Sequence, residues 1–128
     1  MKPTLVIRPP YQGSKFPTWN DMNRLNRANP KKGARAEKQY REDLGFMIRA
    51  ARPPKYSRQV RIGFIFFEPD NRRDPDNIQY FLKPFLDALQ DCAVIPNDSR
   101  RYIRGFWSDF ETDSKDPRIE VYISEVTE

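Results

Sequence analysis

The segment from Gln59 to Phe67 constrains the fold more than any other part of the chain. Alternate residues on one of its faces are all apolar: Val60, Ile62, Phe64 and Phe66. Ile65 and Phe67 make the end of the other face apolar as well. A strand that is apolar on both faces is typical of the centre of a sheet that is covered on both sides. The rest of the chain must therefore supply neighbouring strands and the helices that cover them.

Periodicity and proline or glycine boundaries predict the remaining elements. The expected strands are Thr4–Arg8, Arg101–Phe110 and Arg118–Val126, with loops at Tyr11–Pro17 and Pro69–Pro75. The expected helices run from the N-cap Thr18 to Pro30, from after Gly33 to Pro53, and from about Asp76 to Gln90. The second of them has an apolar stripe: Tyr40, Leu44, Met47, Ile48 and Ala51. We predict a single α/β (α+β) domain over residues 1–128, in which helices pack on a mixed sheet.

The chain contains no histidine and a single cysteine, Cys92. This composition excludes nucleophiles and bases that depend on histidine, and it excludes zinc sites built from histidine or from four cysteines. One cysteine also excludes an internal disulfide, which fits a reducing compartment. No apolar run approaches the roughly 18 residues that span a bilayer, so no membrane partner is expected. Any catalysis must therefore depend on carboxylates, lysines or a bound hard metal ion.

The net charge of +5 conceals two halves of opposite sign. Residues 1–61 contain 15 lysines and arginines against 4 acidic residues, whereas residues 62–128 contain 8 against 14. Ordinary solvated charge is the simpler explanation of a small imbalance. Here, however, nearly two-thirds of all cations lie in the first half. That concentration favours a polyanionic partner for the basic half and a separate role for the acidic half.

Asp74 and Asp76 flank Pro75, and they are the first candidates for metal chemistry. Alternate residues of an extended segment point the same way, so the two carboxylates are expected to converge. Asp76 also stands where the N-cap of the next helix is expected, and a helix N-terminus favours negative charge. A few carboxylates completed by water form the oxygen shell that Mg²⁺ prefers, and Asp98 in a later turn is expected to add a third. The alternative for all three is a structural role in turns and caps, where Asp is common.

The helix that follows is predicted to bury one face and to expose a polar one. Its buried side is expected to contain Ile78, Phe81, Leu82, Phe85, Ala88 and Leu89. The opposite face contains Asp76, Tyr80, Lys83 and Asp87, all within roughly 60° of each other on the helical wheel. A solvated ion pair between Lys83 and Asp87 is the alternative explanation of this face. Pro84 is expected to kink the helix.

Three motifs in this segment resemble those of the RusA-like Holliday junction resolvases, a family of small phage and prophage endonucleases. In chain order they are Arg73-Asp74-Pro75-Asp76-Asn77, Lys83-x-x-x-Asp87-Ala88-Leu89 and Val94-Ile95-Pro96-Asn97-Asp98-Ser99. They are similar to the family's R-D-x-D-N, K-x-x-x-D-A-L and V-I-x-D-D-S patterns in the same order. Two positions depart from the pattern. The lysine stands three residues later than in the best-known form, where this chain has Tyr80, and Asn97 replaces a common Asp.

The resemblance implies an α/β homodimer that binds four-way DNA junctions and cuts strands with Mg²⁺ or Mn²⁺. It also implies a location in the cytoplasm of a bacterium or a phage-infected host. The family's three essential aspartates correspond to Asp74, Asp76 and Asp98, and its lysine corresponds to Lys83. A metal ion bound by carboxylates supplies such phosphodiester chemistry without histidine. Lys83 is then expected to stabilise the developing negative charge or to orient the phosphate.

Cations of the basic half and of the loop before Asp74 are expected to neutralise backbone phosphates. The predicted DNA-binding residues are Lys31, Lys32, Arg35, Lys38, Arg41, Arg72 and Arg73. Phe16 and Trp19 are candidate wedges at a junction, although a core position is the simpler expectation for an aromatic residue. Two other functions stay open. One is a non-catalytic nucleic-acid-binding protein whose aspartates cap helices and turns, and the other is a nuclease that prefers flap or fork DNA.

Overall fold

The computed structural model describes residues 1–9 and 15–127, so most of the predicted Tyr11–Pro17 loop lies outside the described residues. The strands are β1 (Leu5–Ile7), β2 (Val60–Glu68), β3 (Ile103–Thr112) and β4 (Arg118–Glu125). The helices are α1 (Trp19–Ala28), α2 (Pro30–Ala51), α3 (Pro75–Ile78) and α4 (Leu82–Asp91). A 3₁₀ turn, Gln79–Phe81, connects α3 to α4.

The strands form one mixed sheet in the order β1-β4-β2-β3. β4 runs antiparallel to both β1 and β2, whereas β2 and β3 are parallel. Parallel neighbours need a long crossover connection, and the segment from α3 to α4 provides it. This arrangement confirms the predicted α+β domain with a mixed sheet, and it confirms that β2 lies in the interior of the sheet.

The two faces of β2 are covered to different extents. One face is almost completely buried, at Val60, Ile62, Phe64 and Phe66. On this face the ring of Phe64 lies edge-on to Phe85 of α4, with the ring centroids 5.7 Å apart. On the other face Ile65 and Phe67 are only half-buried, and the guanidinium of Arg118 lies 3.8 Å from the centroid of the Phe67 ring. The expectation that both faces are covered is therefore wrong, because the second face is only partly covered.

α2 begins earlier than the sequence predicts. Pro30 is in its first turn, and the Asn29 side chain accepts a hydrogen bond of 3.0 Å from the Lys31 N–H. Proline is tolerated there because the first N–H groups of a helix have no intrahelical partner. Gly33 is inside the helix, where a Cβ atom would overlap the side chain of Asn26 in α1. The expected start after Gly33 is therefore wrong, and glycine instead allows α1 and α2 to approach closely.

The apolar stripe of α2 is confirmed in part. Its buried residues include Tyr40, Leu44 and Ile48. Met47 is half-buried, and Ala51 is exposed at the end of the helix. Within the described part of the chain, no helix is long and apolar enough to cross a membrane.

Candidate active site

Asp74 and Asp76 lie where the chain leaves the loop after β2 and enters α3. Asp74 has an extended backbone and is the N-cap of α3, although its carboxylate makes no capping hydrogen bond. Pro75 and Asp76 are in the first turn of the helix. The prediction that Asp76 is the N-cap is therefore wrong. The argument that an extended segment aims both carboxylates the same way is wrong for the same reason, since only Asp74 is extended.

The helix predicted from Asp76 to Gln90 is interrupted by the 3₁₀ turn at Gln79–Phe81. Pro84 explains the interruption, since it has no N–H to donate to the carbonyl of Tyr80. The break changes the polar face that the sequence predicts. Tyr80 is 2% exposed and therefore belongs to the buried side, while Leu82 is only half-buried.

A cleft of about 320 Å³ brings three of the charged candidates together. Its charged lining residues are Lys83 and Asp87 of α4 and Asp98 of the turn before β3, and we call it the Lys83 cleft. Trp19 and Tyr80 also line it, with their rings edge-on and the centroids 4.5 Å apart. Within the part of the chain that the structure describes, no ion pair joins Lys83 to Asp87. The cleft therefore combines two carboxylates with a cation that pairs with no other described residue.

Tyr80 is held in the wall of the Lys83 cleft by a contact with α2. Its hydroxyl donates a hydrogen bond of 3.4 Å to the Oε1 atom of Glu37. Burial and the adjacent Glu37 carboxylate raise the pKa of Tyr80 to about 12, so the phenol stays protonated. Sequence reasoning missed Glu37. The available signal was the need of a buried tyrosine hydroxyl for a partner.

The three predicted metal ligands are not gathered at one point. Asp98 lines the Lys83 cleft, whereas Asp74 and Asp76 do not. Asp76 precedes Lys83 by seven residues, which is a helical rise of about 10 Å. Within residues 1–9 and 15–127, no group of three or more His, Cys, Asp or Glu side chains is close enough to hold a metal ion.

Asp74 and Asp76 nevertheless suit a divalent cation in their chemistry. Both side chains are exposed, and neither carboxylate forms a hydrogen bond or an ion pair with another described residue. Mg²⁺ is usually held by one or two carboxylates together with waters and substrate phosphates, rather than by a complete cage of side chains. The two carboxylates beside Pro75 therefore fit such an ion, with Asp98 as a separate candidate ligand.

Most of the predicted DNA-binding cations lie on the exposed side of α2. Those in its first half are Lys31, Lys32, Arg35 and Lys38, all exposed. Arg41 is also exposed, but it is bonded to Asp91 through two contacts of 2.6 Å. A second groove, of about 340 Å³, is lined by Lys38 and Arg41 and shares Lys83 and Asp87 with the Lys83 cleft. The cations of α2 therefore border the candidate site directly.

Arg73 has a structural role that the sequence does not predict. It donates two hydrogen bonds to the Glu68 carboxylate, at 2.7 and 3.1 Å, and a third to the carbonyl of Phe16 at 2.6 Å. The side chains of Arg73 and Glu68 are only 17% and 14% exposed. These contacts join the loop before Asp74 to the end of β2. Arg72 is the exposed cation of the two.

The two aromatic wedge candidates have different surroundings. Phe16 is buried, and its ring stacks on that of Tyr40 with the centroids 5.5 Å apart. Trp19 is 44% exposed at the Lys83 cleft. Phe16 is therefore a core residue, while Trp19 is accessible to a ligand.

Comparison of the chain with protein-family models gives no match, and no curated protein is significantly similar to it in sequence. The resemblance to RusA-like resolvases therefore stays a prediction that rests on the three motifs.

Proposed function

We propose that the protein is a metal-dependent endodeoxyribonuclease that resolves four-way DNA junctions. The observation that carries the proposal is the Lys83 cleft, where a lysine without an ion-pair partner among the described residues lies beside Asp87 and Asp98 at the border of the basic helix α2. A phosphodiester bound there meets a cation that offsets the negative charge developing on the phosphate. The exposed cations of α2 contact the flanking phosphates, which positions DNA without reading its sequence.

Asp74 and Asp76 are the residues that would hold Mg²⁺ or Mn²⁺ at the start of α3, and Asp98 is the third candidate ligand. A bound divalent cation supplies charge relief at the phosphate. Among the described residues, no other side chain or backbone group occupies these carboxylates. The bonds from Arg73 to Glu68 and Phe16 support this role, because they fix the loop that precedes Asp74.

The test is cleavage of labelled four-way junction DNA with Mg²⁺, by the parent protein and by Asp76→Asn. We expect the variant to bind the junction and to cleave it at least about 100-fold more slowly, because a ligand of the metal ion that stabilises the transition state is lost. Asp109→Asn is the matched control, since Asp109 is an exposed carboxylate of β3 that does not line the Lys83 cleft. Absence of cleavage by the parent across several junction sequences would contradict the proposal.

The same assay separates the two alternatives. A nuclease for flap or fork DNA would cleave those substrates faster than junctions when they are compared side by side. A non-catalytic binding protein would bind junction DNA without metal-dependent cleavage. In that case replacing Asp74, Asp76 and Asp98 with Asn would leave the binding of junction DNA unchanged.

We also propose that the active form is a homodimer. Paired cuts across a two-fold symmetric junction suit a protein with the same symmetry. Analytical ultracentrifugation at the working concentration of the cleavage assay tests this proposal, and a monomeric mass under those conditions would contradict it.

A further inference from the structure

A third cavity, a cleft of about 390 Å³, lies at the C-terminal ends of α2 and α4. Its apolar lining includes Ile48 and Val94, which are almost completely buried. Three cations line it: Arg49, Arg52 and Lys55. Among the described residues, no carboxylate lines this cleft, which we call the Arg52 cleft.

Among the described residues, the side chains of these three cations cap neither α2 nor α4. The Arg52 N–H donates to the carbonyls of Ile48 and Arg49, and the Cys92 N–H donates to Ala88, so backbone groups cap both helices. Within residues 1–9 and 15–127, the three cationic side chains form no hydrogen bond or ion pair.

Among the described residues, Asp91 interacts electrostatically with Arg49, but it does not line the Arg52 cleft. The carboxylate of Asp91 is already bonded to Arg41. Burial raises the pKa of the Cys92 thiol, which keeps it neutral. Like charges gathered around one cleft repel each other. An anion in the Arg52 cleft would relieve that repulsion.

The backbone at Arg52 is also unusual. This residue ends α2 in the left-handed conformation, with φ 50° and ψ 54°. Glycine or asparagine is the usual residue at such a helix end, because a larger side chain is disfavoured there. The position nevertheless carries an arginine, and its side chain lines the cleft.

We propose that Arg49, Arg52 and Lys55 bind backbone phosphates of one arm of the DNA. α2 rises about 30 Å from Lys31 to Arg52, so the Arg52 cleft extends the cationic side of this helix beyond the groove that Lys38 and Arg41 line. The contact positions an arm of the junction and reads no bases. The inference rests on the proposed function for its choice of DNA.

The test compares two triple variants that remove the same charge. The first is Arg49→Gln, Arg52→Asn and Lys55→Gln, where Asn is chosen because it tolerates the left-handed conformation. The control is Lys2→Gln, Arg61→Gln and Lys115→Gln, at exposed positions that do not line the Arg52 cleft. Binding to a four-way junction is measured by fluorescence anisotropy in EDTA over a series of salt concentrations. Each lost phosphate contact reduces the slope of log K against log salt by about 0.9.

We expect the first variant to lose about 2 units of slope, through the loss of two or three phosphate contacts, and the control to lose much less. An unchanged slope in the first variant, with DNA binding by the parent intact, would overturn this inference and leave the proposed function standing. Failure of the parent to bind DNA at all would overturn both.

A titration with inorganic phosphate separates DNA from a small anion. Saturation of the Arg52 cleft by free phosphate, with no change in the DNA salt slope of the variant, would show a small-anion site and overturn the assignment to DNA. If the triple variant melts well below the parent in circular dichroism, the single Arg52→Asn variant carries the test, with an expected slope change of about 1.

Discussion

Two sets of carboxylates in the acidic half of the chain have opposite surroundings. Asp113 and Asp116 at the turn between β3 and β4, and Glu120 in β4, all pair with arginines, at distances of 2.9 Å. Around α3 and α4, the carboxylates of Asp74, Asp76 and Asp98 pair with no described residue. The first set holds β1, the turn and β4 together through Arg8 and Arg118. The second set has no partner among the described residues, so it is available to bind a ligand. The two sets contain the same type of side chain, and their partners are what distinguish them.

The largest expected effect is on catalysis, when a carboxylate of the second set is replaced. We expect Asp98→Asn to slow junction cleavage at least about 100-fold, because the metal ion that offsets the phosphate charge loses a candidate ligand. The free energy of unfolding should change by less than about 0.5 kcal/mol, since the side chain is exposed and has no partner in the part of the chain that the structure describes. Single-turnover cleavage and urea unfolding measure the two quantities. Asp116→Asn is the matched control, which should lower the urea midpoint and leave cleavage intact. A loss of stability in Asp98→Asn as large as that in the control would contradict the division into two sets.

The next effect concerns Arg73, a predicted DNA-binding residue that is bonded to Glu68 and Phe16. We expect Arg73→Met to lower the free energy of unfolding by about 2–3 kcal/mol, because Glu68 is left largely buried without its partner. The double variant with Glu68→Gln should recover part of this loss. Arg72→Met should leave stability unchanged. Urea unfolding of the four proteins measures these differences, and equal effects of Arg72→Met and Arg73→Met would contradict the structural role of Arg73.

Much of the fold could be predicted from the sequence because it depends on local periodicity. The apolar alternation of β2 predicted a strand in the interior of the sheet, and Pro84 predicted a kink where the helix is interrupted before α4. The error at Pro30 also has a local cause. Proline ends a preceding helix and equally begins the next one, and the single residue Asn29 separates α1 from α2. The close approach at Gly33 depends on tertiary packing, which periodicity does not reveal.

The candidate site was less predictable, because its contacts join distant parts of the chain. Lys83 and Asp98 were identified by their motifs, and both do line one cleft. The contact of Tyr80 with Glu37 spans 43 residues, and that of Arg73 with Phe16 spans 57. No local pattern indicates either partner. The wrong N-cap at Asp76 had a different cause, since Asp74 and Asp76 are both acceptable caps and Pro75 is acceptable in either register.

Acid titration should destabilise the paired set. Hydrogen bonds lower the folded-state pKa of all three carboxylates. The main donor to Asp116 is the Arg8 side chain, and the main donor to Asp113 is the Asp116 N–H. The main donor to Glu120 is the Tyr122 hydroxyl. A lowered folded pKa adds stability above the unfolded pKa of about 4, and this stability is lost as the pH falls through the folded value. The urea midpoint should therefore decrease below pH 4. Asp113→Asn should make the urea midpoint depend less on pH. An unchanged pH dependence in this variant would contradict the assignment to the paired carboxylates.

The smallest expected effect concerns Tyr80, whose hydroxyl donates a hydrogen bond to Glu37. Glu37 and burial raise the folded-state pKa of Tyr80 to about 12, above the ordinary value of about 10. Absorbance at 295 nm should therefore show a tyrosine that ionises near pH 12, and Tyr80→Phe should remove it. Because the folded state holds the proton more tightly, the associated stability is present below pH 10 and is lost as the pH rises through 12. Glu37→Gln should lower the pKa of Tyr80 only part of the way, since burial is the larger cause. If the pKa of Tyr80 in that variant returned to its ordinary value of about 10, the Glu37 carboxylate and not burial would be the main cause of the shift.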